Sequence, residues 1–330
     1  MTQQIIHAVP PVVVGVDVGG TKIAASLVDA KGRLFGHIRY PTDISGPEAT
    51  LDSIAYTVNK VIHEVGISRG DVQAVGLGIP GLVDPYNGIG IASVNLNWNN
   101  VPVKEGLETR LGFPCSIEND VKAAALGETR YGAGIGKQNL VFMTIGTGVA
   151  AAVILEKKLY RGSNGMAGEI GHTVIEQSGP LCKCGGHGCL EALVSGPAIA
   201  ARAAKKIQSG RPTILNNISG KRVKELTARA VFSAAARGDA VALETIKEVS
   251  QYLAIAIQFM ALAYDPQVIV LGGGVPQAGK PFLDPVLLSL DRLAKESWVI
   301  RKIFTPRFVQ VTKLRTDIGV LGAAALVATN

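Results

Sequence analysis

Two stretches of this chain, about 127 residues apart, carry the same local plan. Val12–Asp17 is an apolar run broken by Gly19-Gly20 and resumed over Ile23–Val28. Leu140–Ile145 is a second run, broken by Gly146-Thr147-Gly148 and resumed over Val149–Leu155. Short apolar runs bounded by turn residues read as buried strands, and a glycine turn between two of them reads as a hairpin. A unit that occurs twice, with helical patterns after each copy, predicts a duplicated α/β lobe. Around the first copy, Arg33–Tyr40 is a third strand, and Pro47–Val65 has a helical stripe of Leu51, Ile54, Val58 and Ile62. A strand over Val72–Ile79, a turn-rich loop to Asn100, a short helix, a strand over Cys115–Glu118 and a helix from Val121 follow. In the second half, helices are expected over 197–208, 223–236, 239–263 and 319–328, with a strand over Gln267–Leu271 that runs into Gly272-Gly273-Gly274.

The 330 residues include 39 glycines, against about 23 at average usage. With 47% hydrophobic and 18% charged residues, the chain is not of the charge-rich, apolar-poor kind that stays disordered. Its length suits two domains. The first 17 residues lack a basic segment, and their apolar run stops at Asp17, which argues against a secretory signal. No apolar run has the ~18 residues of a membrane helix. Three of the four cysteines crowd into positions 182–189, unlike a secreted disulfide framework. A cytoplasmic protein is expected.

The net charge of +7 is local. Residues 202–229 hold eight basic side chains and one acid, Glu225. No aromatic residues interleave these charges, so a solvated helical face is favoured over a polyanion site. No nucleic-acid partner is expected.

The glycine loops differ in what they can bind. Gly76-Leu77-Gly78-Ile79-Pro80-Gly81 has dinucleotide-site spacing, but turn residues follow where that site needs a helix N-terminus. Gly134-Ile135-Gly136-Lys137 lacks the first glycine and the Ser/Thr of a P-loop. The hairpin turns are better candidates. In Asp17-Val18-Gly19-Gly20-Thr21-Lys22, backbone N–H groups can approach phosphate oxygens, with a hydroxyl from Thr21 and a charge from Lys22. Asp17, ending a strand, is placed to hold Mg²⁺ through water. Gly146, Thr147 and Gly148 would clamp the phosphates, and Gly272, Gly273 and Gly274 would offer a backbone ledge to a base.

Cys182, Cys184 and Cys189 place three thiols within eight residues, spaced by glycines. A closed tetrahedral zinc site needs a fourth ligand, for which His172 and His187 compete. Such a site would be structural. Cys115 reads as a small core residue.

Together these motifs resemble the ROK family, and within it the bacterial glucokinases. The matching stretches are Asp17–Lys22, Gly78–Gly81, Asn95–Trp98, Glu118-Asn119-Asp120, Gly146–Gly148, Gly168–His172, Cys182–Glu191, Gly272–Gly274 and Asp317–Ala325. The resemblance implies an α/β, actin-like (ribonuclease H-like) two-lobed sugar kinase fold with substrates in an interlobe cleft. The expected division is a smaller lobe of 1–120 plus 312–330 and a larger lobe of 121–311 carrying the zinc loop. It implies His172 as the fourth zinc ligand, and Asp120 as the general base rather than a mere cap of the helix from Val121. It also implies that Gly81, Asn119, Asp120, Glu169, His172 and Glu191 hold the sugar, with Asn95 near the same pocket. Zinc would then staple the segment bearing Glu169 and Glu191 against that pocket.

The second phosphate loop departs from the family in running on as Val149-Ala150-Ala151-Ala152. ATP and Mg²⁺ are the implied cofactors, with polyphosphate an alternative donor. Glucose is the implied acceptor, ahead of mannose, N-acetylmannosamine and N-acetylglucosamine, and a homodimer or homotetramer is implied. Sugar-responsive repressors of the family carry a DNA-binding segment ahead of this body, for which the 16 residues before Asp17 are too few. A sugar-sensing regulator without activity is disfavoured by Asp120.

Overall fold

The computed structural model describes residues 11–218, 225–305 and 307–328. The described residues fall into two units, one within 11–136, 157–167 and 316–328 and the other within 137–156 and 168–315.

In the first unit the hairpin pattern becomes β1 (Val12–Val18) and β2 (Lys22–Val28), antiparallel with Val18 opposite Ile23. β3 (Leu34–Pro41) extends the pair, and β4 (Val72–Ile79) and β8 (Cys115–Asn119) add to the other edge in parallel, giving the order β3-β2-β1-β4-β8. Helix α1 (Pro47–Val65) starts with Pro47 in its first turn, where no N–H is missed, and stops at Gly66 in a left-handed conformation. Its predicted stripe of Leu51, Ile54, Val58 and Ile62 is buried against the sheet, in a core with Val14, Leu27 and Leu77.

The expected turn-rich loop to Asn100 is instead a small antiparallel sheet, β5 (Leu82–Asp84), β6 (Ile89–Ser93) and β7 (Trp98–Val101). Strands of three to five residues are too short to show an alternation above their turn residues. α2 (Val103–Leu111) leads to β8, α3 (Asp120–Tyr131) follows it, and α11 (Ile318–Ala325) packs on α3, β1 and β4. That packing explains why the unit extends to residue 136 rather than ending at the expected 120: α3 is bound to α11 and β4. It also explains Gly76, whose place a side chain cannot take, since a Cβ there would lie 1.9 Å from the Ala323 carbonyl oxygen. The glycine serves helix–sheet contact and no dinucleotide.

The second unit repeats the plan. β9 (Leu140–Ile145) and β10 (Val149–Leu155) are antiparallel, and β12 (Val268–Gly272) and β13 (Val309–Val311) follow in parallel. The sheet order is β11-β10-β9-β12-β13, its edge strand β11 (Lys158–Tyr160) lying on the segment 157–167 that groups with the first unit. Helices α4 (Leu190–Val194), α5 (Gly196–Gln208), α6 (Leu215–Ile218), α7 (Ala228–Ala235) and α8 (Ala240–Tyr264) surround a separate core of Val141, Leu193, Ile257 and Leu271. The expected helix over 223–236 begins at Ala228; residues 223 and 224 lie outside the described residues. Two further helices, α9 (Lys280–Glu296) and α10 (Trp298–Ile303), fill a stretch to which the sequence pattern assigns no element.

The basic segment is partly neutralised from α8. Arg202 pairs with Glu248 at 2.9 Å, Lys206 with Glu244 and Glu248 at 2.6 and 2.7 Å, and Arg211 with Glu244. The bonds from Lys206 and then Arg211 hold the Glu244 carboxyl down at about 2. Lys221, Arg222 and Lys224 lie outside the described residues. Among the described residues, no helix is long and apolar enough to cross a membrane.

Candidate active site

The junction of β8 and α3 is built by Asn119. Its Oδ1 accepts the N–H groups of Val121 and Lys122, both at 3.1 Å, which caps the helix. Its Nδ2 donates to the Gly81 carbonyl at 3.0 Å. The cap is thus Asn119, and Asp120 stands as the first helical residue, half-buried, its Oδ1 accepting the Val121 N–H at 2.9 Å. Asn119, Asp120 and Gly81 are therefore brought together within the first unit.

The loop between β1 and β2 is closed by Gly19 N–H donating to the Lys22 carbonyl at 2.9 Å, and Thr42 Oγ1 donates to the Gly19 carbonyl at 2.6 Å. Gly20 lies against Asn95, so Asn95 backs this loop. Thr21 and Lys22 are exposed. Asp17 lies against Gly319 at the start of α11. Burial pushes its carboxyl up, and the charge of Lys22 opposes that.

In the second unit Gly146, Thr147 and Gly274 line a cavity of about 970 Å³, whose other walls include Pro197, Ala200, Leu226, Phe232 and Val275. Gly274 opens on free space, whereas Gly272 ends β12 against the Phe142 ring and Gly273 has φ +88° beside the Ile145 carbonyl. The three glycines are thus not one flat ledge: two shape the chain and the third faces the cavity. Glu191, at the start of α4, accepts the Val149 N–H at 3.0 Å, which ties it to Gly148. The alanines that depart from the family belong to β10, and Ala151 and Ala152 are buried in its core. Glu169 is exposed, and its carbonyl accepts the His172 N–H at 3.1 Å.

His172, Cys182, Cys184 and Cys189 converge, their ligand atoms all within 4.8 Å of one another. His187 is not among them. Cys184 and Cys189 sulfurs are 3.7 Å apart, and Cys182 Sγ is 3.8 Å from His172 Nδ1. A tetrahedron with bonds of ~2.3 Å has edges of about 3.8 Å, so the donor set fits zinc. All four cysteines are free thiols. Cys115 lies apart, its thiol pushed up to about 12 by burial, as befits an inert core residue.

Residues 13–330 match the ROK family. The chain belongs to it. This ROK chain is 35% identical to a glucokinase from Halalkalibacterium halodurans over 95% of its own length and 94% of the relative's. It is 34% identical to a glucokinase from Streptomyces coelicolor, over 95% and 96%. The crystal structure of a ROK family glucokinase from Streptomyces griseus in complex with glucose and AMPPNP superposes with a TM-score of 0.80 at 33% identity, covering 96% of this chain and 98% of that one. The fold of this ROK chain is thus the expected α/β, actin-like one, each unit built on an antiparallel pair extended by parallel strands.

Sequence reading notes Glu118 in its motif without giving it a role, and passes over Arg161 and Lys122. Lys122, 6% exposed, donates through Nζ to the Gly165 carbonyl, and Arg161 pairs with Glu118 at 2.7 Å. A carboxylate buried in a strand, as Glu118 is, calls for such a cationic partner.

Proposed function

We propose that this ROK protein is a hexose kinase that transfers the γ-phosphoryl group of ATP to the 6-hydroxyl of glucose. The observation that carries the reading is the β8–α3 corner, where Asn119 caps the helix, reaches Gly81 and is followed by Asp120 at the head of α3. Phosphoryl transfer asks the protein to align a hydroxyl, accept its proton and offset charge on the phosphoryl oxygens. Asp120 accepts the proton of the 6-hydroxyl. Asn119 holds the 4-hydroxyl region through its amide, and the Gly81 backbone passes close to the ring. Glu169 and Glu191 accept hydrogen bonds from hydroxyls at the anomeric end, and His172 donates one. Carboxylates suit this work because they accept from two directions, and an apolar wall discriminates hydroxyls poorly.

The hairpin turn Gly19–Lys22 and the loop Gly146–Gly148 hold the phosphates, and Gly274 offers backbone to the base. The 970 Å³ cavity offers Pro197, Leu226 and Phe232 to a base and Thr227, Arg229, Ser233 and Gln277 to polar groups, a mixed lining that suits a nucleotide. Mg²⁺, when bound, offsets the charge of the phosphates; Asp17 is the residue that would hold it through water, and the half-buried acid would be kept ionised by it.

Zinc, when bound by His172, Cys182, Cys184 and Cys189, supplies a closed structural tie with no open position. His172 then serves twice. Nδ1 faces the thiols, which leaves Nε2 for a sugar hydroxyl.

A coupled assay crossing glucose, mannose, N-acetylmannosamine and N-acetylglucosamine with ATP and polyphosphate tests the reading. Glucose with ATP should give the highest kcat/KM. An N-acetylhexosamine preferred by tenfold, or polyphosphate preferred over ATP, would replace the respective half of it.

A further inference from the structure

Glu118 is 1% exposed and sits on β8 immediately before Asn119 and Asp120. Its two oxygens are used differently. Oε1 accepts the backbone N–H of Asn119 at 2.9 Å, and Oε2 accepts the Nε–H of Arg161 at 2.7 Å. Arg161 lies on the segment 157–167, which belongs to the first unit although its flanks belong to the second. Its guanidinium also rests 5.5 Å from the centre of the Tyr86 ring. A second clamp lies close by, where Lys122 of α3 donates to the Gly165 carbonyl of the same segment. The segment is thus pinned on both sides of Asp120, once through Glu118 and once through Lys122.

We infer that Arg161 and Glu118 are a positioning pair that fixes the peptide leading from Glu118 into Asn119 and Asp120. The inference rests on the reading of Asp120 as the base. Arg161 neutralises a carboxylate that burial would otherwise leave unpaired, and a buried ion that loses its partner moves or reorganises its surroundings. Here what it would move is the Asn119 N–H, and with it the plane that orients Asn119 and the first residue of α3. A misplacement of about 1 Å at a reacting group costs on the order of 10²-fold in rate. The pair therefore acts on turnover, through the position of Asp120, reaches the sugar only by way of Asn119, and leaves nucleotide affinity untouched.

The test compares Arg161→Met, Arg161→Lys, Glu118→Gln and the double variant Glu118→Gln/Arg161→Met with the wild type. Arg161→Met should lose on the order of tenfold to a hundredfold in kcat, with KM for ATP kept within about threefold and KM for glucose rising by less than kcat falls. Arg161→Lys, which keeps a cation beside Glu118, should recover part of that loss. The double variant should lose less than the two single losses multiplied, because no buried charge is then left unpaired. Amide hydrogen exchange should quicken in the peptide around 116–124 of Arg161→Met and stay unchanged elsewhere.

The inference is overturned by a kcat within twofold of wild type in Arg161→Met, by a loss confined to either KM, or by strictly multiplicative losses. If Arg161→Met does not fold, Glu118→Gln, which keeps an acceptor for the Asn119 N–H and removes the charge, carries the same test at smaller amplitude. A wild type that phosphorylates no hexose would sink the base assignment. The exchange pattern would still decide the pair, and unchanged exchange around 116–124 would sink it.

Discussion

Asp120→Asn is expected to bind glucose with an affinity within about threefold of wild type and to lose on the order of 10²–10⁴ in kcat. Asparagine has the shape of aspartate and keeps an oxygen to accept the Val121 N–H, the bond that Asp120 makes at 2.9 Å. The helix start is therefore preserved, since Asn119 supplies the cap with its own Oδ1. What is removed is the ability to take a proton. A loss of kcat without a matching change in affinity marks an interaction needed only for the chemical step. An Asp120→Asn enzyme that kept more than about a tenth of wild-type kcat would assign the base elsewhere.

The second large effect concerns the cysteine cluster. Protein purified without chelator should carry close to one zinc per chain, and Cys184→Ser should carry less than half of that. Cys184 is exposed and packs no core, so its serine variant removes a ligand atom while leaving little else disturbed. Loss of the tie should free the loop that runs from Thr173 to Cys189, whose backbone bonds include Ile175 N–H to the Gly188 carbonyl and Leu190 N–H to the Thr173 carbonyl. Because binding energy at a structural metal site is folding energy, a loss of about 3 kcal/mol would lower Tm by roughly 6–12 °C for a domain of this size. The activity should fall with it, since His172, Glu169 and Glu191 are anchored by the same segment. Cys115→Ser is the control and should keep its zinc. A Cys184→Ser protein with a full equivalent of zinc and an unchanged Tm would refute the site.

Much of this fold is legible in the sequence because strong local patterns carry it. The stripe Leu51, Ile54, Val58 and Ile62 lands on the buried face of α1, and both glycine-broken apolar runs become hairpins at the head of their sheets. The patterns that fail are weak ones. β5, β6 and β7 are short and divided by Pro85, Asn87-Gly88 and the Asn95–Asn97 turn. α9 carries Pro285 inside it and exposes Leu287 and Leu288, which blurs the apolar stripe.

The site divides in the same way. Adjacent groups such as Asn119 with Asp120, or the three cysteines, are visible because sequence neighbours stay neighbours. The choice of His172 over His187 needs the path of the loop, and the pairing of Glu118 with Arg161 spans 43 positions. Spacing alone also overstates Gly272-Gly273-Gly274, where contacts with Phe142 and Ile145 account for two of the three glycines.

Phosphoryl transfer from ATP to the 6-hydroxyl of glucose is read directly by ³¹P NMR of purified protein with glucose, ATP and Mg²⁺. The account predicts ADP and glucose 6-phosphate appearing one for one, at a rate abolished by Asp120→Asn. ADP with inorganic phosphate alone, phosphate at another hydroxyl, or no turnover above the Asp120→Asn control would contradict it.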